Sequence, residues 1–134
     1  MLMHCRRGTV VLATRDPELE NLVLESLAAL GDQAPRLTRV GNMGDCIVAV
    51  RLLSPCCVFL DDGIQDAPGP GLVEELHQTQ PAVAVIYIAS RHTLDLERDV
   101  RRQGVLFYIA RPEGSKVLRA HLASVLQGLL RRTG

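Results

Sequence analysis

Short, nearly continuous apolar runs alternate along this chain with longer amphipathic segments, five of each. Thr9-Val10-Val11-Leu12-Ala13-Thr14 is rich in β-branched residues and apolar on both faces, the pattern of a strand buried inside a parallel sheet. Asp16-Pro17-Glu18 then reads as an N-cap with proline at the first helical position. Leu19, Leu22, Val23, Ser26, Leu27 and Leu30 recur at helical spacing until Gly31 stops that helix. Leu37–Val40 predicts a weaker second strand. Ile47, Val48, Val50, Arg51 and Leu52 predict a second helix closed by Ser54-Pro55.

Cys57-Val58-Phe59-Leu60-Asp61 is the third strand, apolar until its acidic end. A Gly/Pro-rich loop from Gly63 to Gly69 follows, then a third helix through Leu72, Val73 and Leu76. Val83–Ile88 is the fourth strand, and Leu94–Gln103 a more polar fourth helix with Gly104 at its stop. Val105–Ala110 and Ser115–Leu130 complete the series as strand and helix. This strict alternation predicts an α/β domain, a doubly wound parallel sheet with helices on both faces. Chemistry in such sheets sits beyond the carboxyl ends of the strands. That edge carries Thr14, Arg15 and Asp16, then Asp61 and Asp62, Ala89 and Ser90, and Arg111-Pro112.

Composition narrows the picture. The 134 residues suit one domain, with a core expected over about residues 8–131. Aromatics make up 3%, so the core must come from Val, Leu, Ile and Ala. Lys plus Arg and Asp plus Glu each number 15, which removes the electrostatic footprint of a nucleic-acid binder. No apolar stretch could span a bilayer, and Val10–Ala13 is too short for a signal peptide. Cys5, Cys46, Cys56 and Cys57 lack Cys-x-x-Cys or zinc-like spacing, so buried thiols in the cytoplasm are expected. No phosphate-binding glycine motif or nucleophile elbow is present, which disfavours a nucleotide binder or flavodoxin-like enzyme. His4, His77, His92 and His121 are scattered, with no partner evident.

With those residues in place, the chain resembles the receiver domain of bacterial response regulators over about residues 8–131. Val58-Phe59-Leu60-Asp61 is similar to that family's strand ending in the phosphoacceptor aspartate. Gly69 falls where a glycine opens its third helix, and Leu72, Val73 and Leu76 match its buried face. Gly104–Pro112 matches the fifth strand, with Tyr108 at the aromatic switch position and Arg111 before proline. Asp16-Pro17-Glu18-Leu19 matches the opening of the first helix. The resemblance implies a CheY-like, flavodoxin-like sheet of five parallel strands in the order 2-1-3-4-5 with five helices.

The departures from the family pattern shape the functional expectation. Thr14 and Arg15 stand where receivers carry the two acids that hold a divalent cation, and Arg15 is expected to point into the pocket. Magnesium needs several hard oxygen ligands, so no metal is expected; Asp16 and Asp61 are the remaining candidates. Ala89 replaces the hydroxyl residue that senses the phosphoryl group, and alanine donates no side-chain hydrogen bond. Ser90 lies one place late, where strand alternation turns it to the other face. Arg111 replaces a lysine, exchanging a point donor for a planar fork. Gln65 stands in place of the loop proline.

These changes imply a phosphorylation-independent receiver-like module that binds other proteins and does no catalysis. Asp61 would be neutralised by Arg15 or Arg111, and Asp62 would be a solvated loop acid. The resemblance places the partner surface on the fourth helix, fifth strand and fifth helix, with Tyr108, Arg98, Arg102 and Lys116. That face would meet a histidine kinase, an output domain or a second copy in a homodimer, without direct contact to nucleic acid or membrane. Two alternatives stay open: an atypical receiver phosphorylated on Asp61 with magnesium, and the N-terminal regulatory domain of a DNA-binding regulator, with a linker beginning near Leu129–Gly134.

Overall fold

The structure, a computed structural model, describes residues 8–64, 69–111 and 115–133. His4, Cys5, the Arg6–Arg7 pair, Gln65 and Pro112 lie outside the described residues.

Five strands form one parallel sheet: β1 (Thr9–Ala13), β2 (Arg36–Val40), β3 (Cys57–Asp61), β4 (Ala84–Ala89) and β5 (Phe107–Ala110), in the order β2-β1-β3-β4-β5. Five α-helices connect and follow them: α1 (Pro17–Ala28), α2 (Met43–Leu53), α3 (Gly69–Thr79), α4 (Leu94–Arg102) and α5 (Ser115–Thr133). The expected fold class and strand order are what the structure shows.

Strand alternation divides the apolar residues between two cores. Val10 and Leu12, with Phe59, Ile86, Ile88 and Ile109, face α1 and α5, where Leu19, Leu22, Val23, Leu118 and Leu122 cover them. Val11 and Ala13, with Val58, Leu60, Val85, Tyr87 and Ala89, face α2, α3 and α4 and pack on Met43, Val50, Leu72, Leu76 and Val100. Both sheet faces are therefore dry, which is why the strands read as continuous apolar runs. Each buried Val, Leu or Ile contributes about 1.5–3 kcal/mol relative to exposure.

Local signals account for most boundaries. Asp16 caps α1 by accepting from the Glu18 amide at 2.9 Å, with Pro17 in the first turn. Gly104 ends the α4 region at φ +86, in the left-handed range that glycine enters without strain. Helix α2 starts at Met43, four residues before the expected Ile47, because Asn42 caps it and accepts from the Asp45 amide at 2.7 Å. β5 is shorter than expected: Val105 and Leu106 precede it, although the Leu106 amide still reaches the Val85 carbonyl at 2.8 Å.

Cys46 and Cys57 are free, and burial pushes both thiols up to about 12, which removes them as nucleophiles at neutral pH. Cys56 is also buried, but it is disulfide-bonded, so the expectation of uniformly free thiols fails there. Among the described residues no helix is long and apolar enough to cross a membrane.

Candidate functional site at the carboxyl edge of the sheet

β1, β3 and β4 bring Thr14, Asp61 and Ala89 to one edge, and two networks grow from the adjacent carboxylates of Asp61 and Asp62. Asp61 is buried, at 4% exposure. Its Oδ2 accepts from the Thr14 hydroxyl at 2.6 Å and its Oδ1 from the Gly63 amide at 3.0 Å. Thr14 is wholly buried, and its Oγ1 also accepts from the Asp16 amide at 3.1 Å. That second bond fixes the hydroxyl rotor so that its proton points at Asp61. A buried carboxylate is thus satisfied by two neutral donors, in bonds strengthened by its charge.

The expected cationic partners are elsewhere. Arg15 is exposed, and its Nε donates to the Gly41 carbonyl at 2.8 Å, so it does not enter the pocket. Successive residues leaving a strand point to opposite sides, and Thr14 takes the inward direction. Arg111 pairs with Oδ2 of Asp16, the residue that caps α1. The Arg111 guanidinium, helped by the Glu18 and Leu19 amides and opposed by burial, holds the Asp16 carboxyl below its ordinary value. Among the described residues no cation pairs with Asp61, which corrects the expectation that Arg15 or Arg111 neutralises it.

Asp62 is not a solvated loop acid. It lies half-buried in the 3₁₀ turn Asp62–Ile64, and its carboxylate gathers three donors. Tyr87 donates its hydroxyl to Oδ2 at 2.6 Å, while Ser90 donates its amide at 2.8 Å and its hydroxyl at 2.7 Å to Oδ1. Ser90 therefore neither replaces the missing hydroxyl at Ala89 nor faces Asp61; it anchors the β4–α4 connection to the end of β3. Ala89 is buried and offers no donor.

Tyr87 was not singled out from the sequence, although a tyrosine within the aliphatic run Val85–Ile88 was a signal. A buried phenol needs a hydrogen-bond partner, and Asp62 supplies it. Gly69 makes room for the ring: a Cβ there would overlap the Tyr87 hydroxyl and lie 2.5 Å from its Cζ. Burial first, then the bond to Asp62, pushes the Tyr87 hydroxyl far above its ordinary value.

The Tyr87 ring also carries the network outward. Tyr108 stacks on it with centroids 5.7 Å apart and planes 7° from parallel. Tyr108 Oη lies 2.9 Å from His92 Nδ1, and the Arg101 guanidinium sits 5.7 Å from the ring centroid. Glu97 lies 3.9 Å from His92 Nε2 and 2.8 Å from Arg101 Nε. His92, expected to be without a partner, thus has two. Burial, with Glu97 and Asp62 adding and Arg101 opposing, pushes Tyr108 up to about 12. Of the other residues expected on this face, Arg98 pairs with Asp95 and Asp99, Arg102 with Asp99, and Lys116 is exposed. Among the described residues no three His, Cys, Asp or Glu side chains are grouped to hold a metal ion.

No protein-family model and no curated protein matches the chain. Solved structures do. The phosphorylated cyanobacterial phytochrome response regulator RcpA superposes with a TM-score of 0.81 at 15% identity, over 96% of this chain and 95% of that one. A CheY-like response regulator receiver domain protein from Methanospirillum hungatei gives a TM-score of 0.72 at 15% identity, over 93% and 98%. HP1043, an orphan response regulator of H. pylori, gives 0.72 at 17% identity, over 92% of each chain. The fold of this chain is that of a response regulator receiver domain.

Proposed function

We propose that this chain is a receiver-like module of bacterial two-component signalling that works by protein contact, without phosphoryl transfer at Asp61 and without catalysis. The observation that carries this reading is the 2.6 Å bond from Thr14 to Asp61. It places a donor hydroxyl where a phosphoacceptor would need a metal-linked oxygen open to the phosphodonor. The donor set also does not fit a divalent cation. Both Asp61 oxygens are engaged by Thr14 and Gly63, Asp16 is committed to Arg111 and the α1 cap, and Arg15 stands in the second acid position. Hard cations need several free oxygens, so no magnesium is required for this mode of action. The partner is a protein, a histidine kinase or an output domain, met in the cytoplasm.

Acetyl-phosphate treatment in magnesium, followed by intact mass measurement, tests this directly. The expected result is an unmodified chain. A stable adduct of about 80 Da, one phosphoryl group, that disappears in Asp61→Asn would overturn the reading in favour of an atypical working receiver.

A further inference from the structure

Helix α4 has the smallest apolar anchor of the five helices. Of its aliphatic residues, Leu94 is 79% exposed, Leu96 is partly buried and Val100 alone is fully buried. Helices α1, α2, α3 and α5 each bury several apolar side chains. Apolar burial sets much of the strength with which a helix is held, so α4 depends on other contacts. Its own ion pairs do not supply them. Arg98 with Asp95 and Asp99, and Arg102 with Asp99, join residues of the same helix.

The polar contacts that leave this region converge on Tyr108. β5 ends the sheet, with β4 as its neighbour, and the parallel register sets Tyr108 beside Tyr87. The two rings therefore share a face and stack. His92 Nδ1 lies 2.9 Å from Tyr108 Oη, with the two rings edge-on and their centroids 5.6 Å apart. The opposite side of the imidazole turns Nε2 toward Glu97 at 3.9 Å, and Glu97 holds Arg101, whose guanidinium sits over the Tyr108 ring. His92 is itself fixed from both directions. Two residues earlier, Ser90 donates its amide and hydroxyl to Asp62; one residue later, Thr93 caps α4 by accepting from the Leu96 amide at 3.0 Å. None of these bonds passes through Asp61, whose partners are Thr14 and Gly63.

We propose that His92 is a latch: its bond to Tyr108 closes α4 and the β4–α4 connection onto β5, and breaking it releases them as a unit while the rest of the sheet stays folded. A region with few buried apolar contacts can open in this way without global unfolding. The tyrosine hydroxyl both donates and accepts, so the bond forms with either neutral imidazole tautomer. The inference rests on the reading of the chain as a phosphorylation-independent module and names the element that holds its α4–β5 surface in one state. That element is rooted in Asp62 and not in Asp61.

The test is amide hydrogen exchange measured by NMR. The His92 side chain is 35% exposed, so its truncation leaves both cores intact. His92→Ala should speed exchange of the amides of residues 98–102 about fivefold, the scale of one lost hydrogen bond, and leave α1 and α5 unchanged. Tyr108→Phe keeps the ring and removes the hydroxyl, and it should match that effect. The double variant should go no further, because both changes break the same bond. His92→Asn, whose side-chain amide offers a polar atom near the place of Nδ1, should restore slow exchange. Unchanged α4 exchange in the single variants, equal acceleration in every helix, additive effects in the double variant, or failure of the asparagine to restore would each overturn the latch. Wild-type protein with beryllofluoride and magnesium should exchange as it does without them. Faster α4 exchange there, with the variants behaving as expected, would overturn the phosphorylation-independent reading and leave the latch standing.

Discussion

Asp61 and Asp62 are neighbours in sequence and opposites in role. Asp61 is the more buried, yet its two bonds close on themselves: Thr14, Gly63 and the start of α1. Asp62 is half-exposed, yet its three bonds reach β4 and the β4–α4 connection, and through Tyr87 they reach Tyr108, His92 and α4. A buried carboxylate is held as a local structural acceptor where hydroxyl and amide donors surround it. The bonds that tie the β4–α4 connection to the end of β3 belong to the acid one residue later.

The largest effect is expected at Tyr87, which joins the Asp62 network to the core. Tyr87→Ala removes a fully buried ring and should cost about 4 kcal/mol in urea denaturation. Gly69→Ala should cost about 2 kcal/mol, because its methyl displaces the same ring. In a Tyr87→Ala background the Gly69→Ala penalty should largely vanish, since contacting residues are not additive. An undiminished penalty would mean that Gly69 serves the backbone and not the tyrosine.

Next come the two acids themselves. Asp62→Asn should cost about 2 kcal/mol, the scale of bonds to a charged group, and should speed hydrogen exchange at the Ser90 amide. Asp61→Asn should cost about 1 kcal/mol, because removing a buried charge recovers desolvation that offsets the weakened bonds. It should leave exchange at Ser90 unchanged. The reverse order of effects would restore Asp61 as the centre of the site.

The tyrosines provide a pH test. Tyr87 and Tyr108 are the two tyrosines of the chain, and both are shifted upward, Tyr108 to about 12. Tyrosinate absorbance should therefore not develop near the ordinary value of 10.0 in the folded protein. A folded-state value above the unfolded one contributes stability that is complete below 10.0 and is lost as the pH rises through about 12. A full tyrosinate step near 10.0 in folded protein would dissolve the Tyr87–Tyr108 stack as described.

The smallest effect is expected at Asp16. Its folded-state value is depressed by Arg111, so the pair stabilises the fold above the ordinary value of 3.8 and this contribution fades as the pH falls through the lowered value. Arg111→Gln should reduce stability at neutral pH and flatten the acid limb of the pH–stability curve, measured by thermal melting. An unchanged acid limb would mean that the Arg111–Asp16 pair contributes nothing.

Much of this protein was legible in its order of residues. Apolar runs bounded by Asp16-Pro17, Gly31, Ser54-Pro55 and Gly104 place the strands and helices, because capping and backbone restriction act within a few residues. The alternation of strand and helix fixes the doubly wound class, since each amphipathic helix must cover a sheet face. It also brings Thr14, Asp61, Ala89 and Arg111 to the carboxyl edge. What the chain order could not give is which donor meets which acceptor there. Thr14 and Arg15, Asp61 and Asp62, Ala89 and Ser90 are adjacent pairs, and a rotation of one residue sends a side chain to the pocket or away from it. Only the packed structure selects Thr14 over Arg15 as the partner of Asp61, sends Arg111 to Asp16, and makes Asp62 the anchor of Tyr87 and Ser90. Those choices depend on side-chain direction and close packing between elements distant in sequence, about which local propensity is silent.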